Sequence, residues 1–288
     1  MNRVLFIAFL ILGLDYASPA SITLITTNLG GQLAEFALPP GFSTASVYPL
    51  IVVYHEKGES QADLLGTYTP RDILNTNILN NGWIMCSSAA HGDNWGNQNA
   101  LNDYVNLLQF AFTNYHILTN LVVAYSGSMG GLPSLLTVGN RTGINTNYAA
   151  WIGFYPVINL SAIYTNTGNT YQSSINTAYG SSSYATIPLG HDPSLFAGAS
   201  FSGLRMLFSA SQSDTIAVQA FHTDPMRVNV QPYAFQDLLF QATGPHADAS
   251  HYDVPTVMSF LQGVLYVPTK PLSVAGNLNF SGSIRTGP

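Results

Sequence analysis

Three observations predict a doubly wound α/β domain with a mostly parallel sheet. The chain has 288 residues, 47% of them hydrophobic, which is ample for one large core. Short apolar runs alternate with segments of helical spacing, the pattern of strands joined by right-handed helical crossovers. One such run ends in Ser126-Gly127-Ser128-Met129-Gly130-Gly131, a small-residue turn placed between a strand and a segment that can be helical.

Taken in order, Ser21 to Leu38 reads as an opening hairpin, and Leu50-Ile51-Val52-Val53-Tyr54 as the clearest early central strand. Trp83 to Ser87 is the next strand; its Cys86 is the single cysteine, so no intrachain disulfide can form. Leu101 to Tyr115 carries Leu101, Tyr104, Val105, Leu108 and Phe112 at helical spacing. Asn120 to Tyr125 is a strand, Leu132 to Val138 a helix with Pro133 in its first turn, and Tyr148 to Tyr155 a further strand. Leu204 to Ala210 and Leu238 to Thr243 are the last two strands, and Val254 to Leu265 the last helix. Ligands of such a sheet sit outside the carboxyl ends of its strands.

The turn after the 120–125 strand has the form of a nucleophile elbow. A serine on so sharp a turn requires small residues two positions before and after it, and Ser126 and Gly130 flank Ser128 in that way. Ser126, flanked by Ala124 and Ser128, is the competing nucleophile; Gly130-Gly131, which lets the helix approach the strand, favours Ser128. The Met129 N–H, at a new helix N-terminus, is placed to meet a developing oxyanion. A structural or phosphate-binding turn is the plainer alternative.

Two partners follow in a suitable order. Asp214 lies just beyond the 204–210 strand, where a carboxylate can orient an imidazole, and His246 follows the 238–243 strand after Gly244-Pro245. A second oxyanion donor is expected after the Leu50–Tyr54 strand, in His55-Glu56-Lys57-Gly58, from the Glu56 or Lys57 N–H. His251 is an alternative base. His91 reads as a loop-stabilising residue, and His116, His191 and His222 as surface or loop residues.

These segments, "PLIVVYHEKG", "AHGDNWGN", "VVAYSGSMGG", "SASQSD" and "TGPHADASHYD", resemble the α/β-hydrolase superfamily, in particular its secreted esterase and prolyl-oligopeptidase-like branches. The resemblance spans roughly residues 45 to 265. It implies a serine hydrolase with Ser128, Asp214 and His246 as its triad. Glu56-Lys57 departs from the glycines often found in the oxyanion loop.

Composition narrows the setting. Charged residues are only 8%, against about 25% in typical soluble domains, so Asn, Ser, Thr, Gln and Tyr must supply surface polarity. A net charge of −6 without a Lys/Arg cluster argues against nucleic-acid binding. No H-E-x-x-H motif occurs, and the serine elbow needs neither metal nor cofactor.

Residues 1–20, with Arg3 ahead of the apolar Val4 to Leu14, read as a signal peptide; a first β-strand is the alternative. The hydrolase domain then runs over 21–267, and no segment reads as a stable membrane span. An insertion at about 161–203, rich in turn formers and carrying Tyr164, Tyr171, Tyr179 and Tyr184, reads as a lid whose tyrosines stack on substrate, or as a surface loop whose tyrosines pack down. The tail, 268–288, resembles segments of phage tail proteins. The expectation is a secreted or virion-associated serine esterase acting on a small or polymeric ester. A peptidase of the same fold and a catalytically silent glycan-binding protein, associated with a virion or cell surface, are the alternatives.

Overall fold

The structure is a computed structural model that describes residues 21–139, 148–165, 168 and 170–266. The expected signal peptide at 1–20 and the tail at 268–288 lie outside the described residues.

The strands are β1 (Thr23–Leu29), β2 (Gln32–Leu38), β3 (Tyr48–Tyr54), β4 (Ile84–Ser88), β5 (Ile117–Gly127), β6 (Tyr148–Phe154), β7 (Arg205–Ala210) and β8 (Gln236–Gln241). They form an eight-stranded sheet in the order β1-β2-β4-β3-β5-β6-β7-β8. The β1–β2 hairpin and the β2–β4 pair are antiparallel, and every other pair is parallel.

The central strands are apolar on both faces because both faces are covered. Leu50, Val52 and Tyr54 of β3 and Val122 and Ala124 of β5 point into one core; Ile51, Val53, Val123 and Tyr125 point into the other. The first core is closed by α2 (Gln98–Asn114) through Tyr104, Leu107, Leu108 and Ala111, by α3 (Gly131–Gly139) through Leu135 and Val138, and by α6 (Thr223–Val230) through Met226 and Val230. The second is closed by α1 (Thr69–Asn80) through Leu74, Ile78 and Leu79, and by α7 (Val254–Tyr266) through Val257, Phe260, Leu261 and Val264.

Between β6 and β7 the chain forms α4 (Leu160–Thr165), α5 (Gln172–Tyr179) and a series of short 3₁₀ turns. A third core joins this insertion to the elbow: Leu160, Ile163, Tyr164, Ile175 and Ile187 pack with Trp95, Met129, Leu132 and Ala217. Its tyrosines pack down. The hydroxyl of Tyr164 reaches Asn176 (3.2 Å), that of Tyr179 donates to the Trp95 carbonyl (2.8 Å), and that of Tyr184 to Asp192 (2.8 Å). The Tyr171 ring lies 5.4 Å from that of Trp95. Among the described residues no helix is long and apolar enough to cross a membrane.

Candidate active site

The carboxyl ends of β3, β5, β7 and β8 bring the predicted residues to one edge of the sheet. Ser128 follows β5 at φ 46°, a left-handed conformation uncommon for a residue with a side chain, and opens the 3₁₀ turn Ser128–Gly130 that runs into α3. The space around this turn explains its residues. A Cβ on Gly130 would overlap the Tyr54 carbonyl, and one on Gly131 would come within 2.5 Å of the Val157 carbonyl oxygen. The Ser128 carbonyl accepts from the Val157 N–H (2.8 Å), which ties the elbow to the segment after β6. Ser126 is fully buried, and its hydroxyl donates to the Ile152 carbonyl (3.2 Å), so it faces the neighbouring strand and not the site.

Ser128 Oγ lies 2.8 Å from His246 Nε2, and His246 Nδ1 lies 2.8 Å from Asp214 Oδ2. A carboxylate can only accept, so Nδ1 carries the proton and Nε2 is left to accept from the serine hydroxyl. The other carboxyl oxygen of Asp214 accepts from the Ile216 (2.8 Å) and Ala217 (3.0 Å) N–H groups. Burial alone would raise the Asp214 carboxyl, but the hydrogen bond and charge of His246, together with those two N–H groups, hold it below the ordinary carboxylate range.

His251 does not join this chain of contacts. It is fully buried; its Nδ1 lies 3.2 Å from Ser209 Oγ and its Nε2 3.2 Å from the Pro245 carbonyl oxygen. Burial depresses its imidazole, partly offset by the Pro245 carbonyl and by Asp214.

The loop after β3 also borders the site. Met129 is buried beneath the turn. The Glu56 N–H points to the Glu59 carboxylate at 3.4 Å, while the exposed Lys57 pairs with Asp93 at 2.9 Å. The Glu56 side chain turns inward: a Cβ on Gly127 would come within 2.6 Å of its Oε1. The His55 ring links this loop to the next, with its nitrogens 2.8 Å from the Glu56 carbonyl oxygen and 3.1 Å from that of Ala89.

Two features of the site have no signal in the sequence. His222, expected at the surface or in a loop, lies in a turn but is buried, and its Nδ1 accepts from the Ile158 and Asn159 N–H groups at 3.1 Å each. It therefore braces the segment that holds the Ser128 carbonyl. The other is the set of contacts made by Glu56 with Tyr155 and Tyr252. Hydrophobic patterning carries no trace of either, because the partners lie far away in sequence. Among the described residues, no group of three or more His, Cys, Asp or Glu side chains is placed to hold a metal ion.

No family model matches the sequence, and no curated protein does. Solved structures do resemble it. Oligopeptidase B from Leishmania major superposes with a TM-score of 0.69 at 10% identity, over 88% of this chain and 38% of that one. A puromycin hydrolase gives 0.65 at 14%, over 85% and 39%, and the acylaminoacyl peptidase of Pyrococcus horikoshii 0.62 at 10%, over 86% and 44%. The chain thus spans about two fifths of the length of these proteins. It has the α/β-hydrolase fold, as its sequence predicted.

Proposed function

We propose that the chain is a serine hydrolase that works through an acyl-enzyme. The observation that carries this reading is the continuous contact from Ser128 Oγ through the His246 ring to Asp214, on the turn that starts α3. Ser128 attacks a carbonyl carbon while His246 Nε2 takes its proton. Asp214 keeps the imidazole in its tautomer and stabilises the imidazolium. The Met129 N–H and one N–H of the 55–58 loop bind the oxyanion. We assign the second donor to Lys57, since the Glu56 N–H is directed to Glu59. His246 then protonates the leaving group, and water repeats the cycle to release the acid.

Two substrate classes use this machinery equally. The sequence pointed to a carboxylic ester. The peptide reading is favoured by the similar solved structures, which bear the names oligopeptidase B and acylaminoacyl peptidase. Matched p-nitrophenyl esters and p-nitroanilides of the same acyl groups separate the two. An esterase turns over only the ester at a useful rate; a peptidase turns over both, with the anilide preference set by the acyl residue. Absence of turnover of either by a folded protein would favour a silent binding protein.

A further inference from the structure

Behind the nucleophile lies a cluster of polar side chains that the proposed mechanism does not use. Tyr155 follows β6 at φ 38°, again in the left-handed region, and is 1% exposed. Holding a tyrosine there costs energy, which packing must offset. Its ring centroid sits 4.8 Å from that of His246, edge-to-face at 65°, and 4.9 Å from that of His251 at 76°. Tyr155 is thus wedged between the two histidines of the β8–α7 loop.

Its hydroxyl is fixed from two other parts of the chain. Tyr155 donates to Glu56 Oε1, on the loop after β3, and is in close contact with the hydroxyl of Tyr252, ahead of α7. Tyr252 in turn lies 3.2 Å from the same Glu56 oxygen. Three oxygens thus form a closed triangle of close contacts. The Arg71 guanidinium lies 3.7 Å from the same Glu56 oxygen. Burial and the nearby Glu59 charge push the Glu56 carboxyl up, against the pull of Tyr155, Arg71 and His246.

We propose that Tyr155 is a positioning residue for His246, locked in place by Glu56 and Tyr252, so that this triangle sets the imidazole at its distance from Ser128. The inference rests on the serine-hydrolase reading. It explains why Glu56 stands in a loop where glycines are common: its side chain, and not its N–H, serves the site. Removing the ring frees His246 to tilt, and a misplacement of about 1 Å can cost about 100-fold in the chemical step. Removing only the lock costs less.

The test compares wild type with Tyr155→Leu, Tyr155→Phe, Glu56→Ala and Glu56→Gln, with p-nitrophenyl acetate as substrate and urea midpoints as the check on folding. Tyr155→Leu is expected to lower kcat about 100-fold with KM within about 2-fold, and Tyr155→Phe and Glu56→Ala about 10-fold. Glu56→Gln, which can still accept from one tyrosine and donate to another, is expected to restore most of the Glu56→Ala loss. If Tyr155→Leu does not fold, the Glu56→Ala and Glu56→Gln pair decides.

Unchanged kcat in Tyr155→Phe and Glu56→Ala, or a rise in KM alone, overturns the proposal. A second readout does not need turnover: the downfield proton resonance of His246 Nδ1–H, bonded to Asp214, is expected to shift in Tyr155→Phe and Glu56→Ala and to return toward wild type in Glu56→Gln. If wild type fails to hydrolyse the ester, the hydrolase reading fails on its own. An unshifted resonance in both variants overturns the positioning role whether or not turnover is seen.

Discussion

Ser128 leaves the sheet from β5, whose last six residues are all buried, whereas His246 follows β8, an edge strand in which every residue is at least partly exposed. The first is placed by backbone. Gly130 and Gly131 touch the carbonyls of Tyr54 and Val157, and the Ser128 carbonyl is itself hydrogen-bonded. The second is placed by side chains: Asp214 on one ring nitrogen, Tyr155 against the ring, and the Asp248 carboxylate accepting from the Ser250 N–H (2.8 Å) to shape the loop. The proposed serine-hydrolase chemistry needs both halves to the same accuracy. One half draws it from the folded core, so damage there costs stability; the other draws it from polar contacts at a sheet edge, so damage there costs turnover.

Substitutions should therefore divide by half. The largest effect is expected from Asp214→Asn, which keeps the shape of the side chain but presents the wrong tautomer to Ser128. We expect kcat to fall on the order of 10⁴-fold, with the urea midpoint close to wild type. A large loss of stability would show that Asp214 belongs to the structural core as well. Gly130→Ala is the counterpart on the nucleophile side. Its methyl would overlap the Tyr54 carbonyl, so we expect about 3 kcal/mol or more of destabilisation, read by urea unfolding. A normally stable Gly130→Ala would show that the elbow is looser than described.

On the nucleophile side, stability should also depend on pH. Burial lowers the His222 imidazole to about 4, with Asp214 and Asp192 pulling it partly back. In the unfolded chain the group titrates near its ordinary value of about 6.5. The unfolded state thus takes up the proton first as pH falls. The stability associated with neutral His222 is fully present above about pH 6.5 and is lost as pH falls toward 4, by roughly 3 kcal/mol. His251, also depressed by burial, adds in the same direction. Urea unfolding of wild type and His222→Gln at pH 7 and pH 4.5 checks this: the wild type should lose more stability between the two, and equal losses would contradict it.

Much of this was legible in the sequence, for a physical reason. The carboxyl-terminal parts of β3 and β5 and all of β7 are buried on both faces and are mostly apolar, so the sequence locates them to within a few residues. The order of Ser128, Asp214 and His246 follows from strands that end at one edge of a parallel sheet. α1 is not legible as a helix, because its buried face includes Arg71 and Asn75 beside Leu74, Ile78 and Leu79 and so lacks amphipathic contrast. α6 is only eight residues long and mixes polar with apolar positions, so its spacing gives no helical signal either. The inward turn of Glu56 and the burial of His222 depend on partners about 64 to 196 residues away, and local spacing cannot report such pairs.

The Ser128–His246–Asp214 contact is expected to make Ser128 an activated nucleophile. Reaction of the folded protein with a fluorophosphonate, read by intact mass and peptide mapping, tests it directly. One adduct is expected, on Ser128, that disappears in Ser128→Ala and forms far more slowly in His246→Ala. A folded wild type that takes up no label between pH 6 and 9, or takes it up elsewhere, would contradict it.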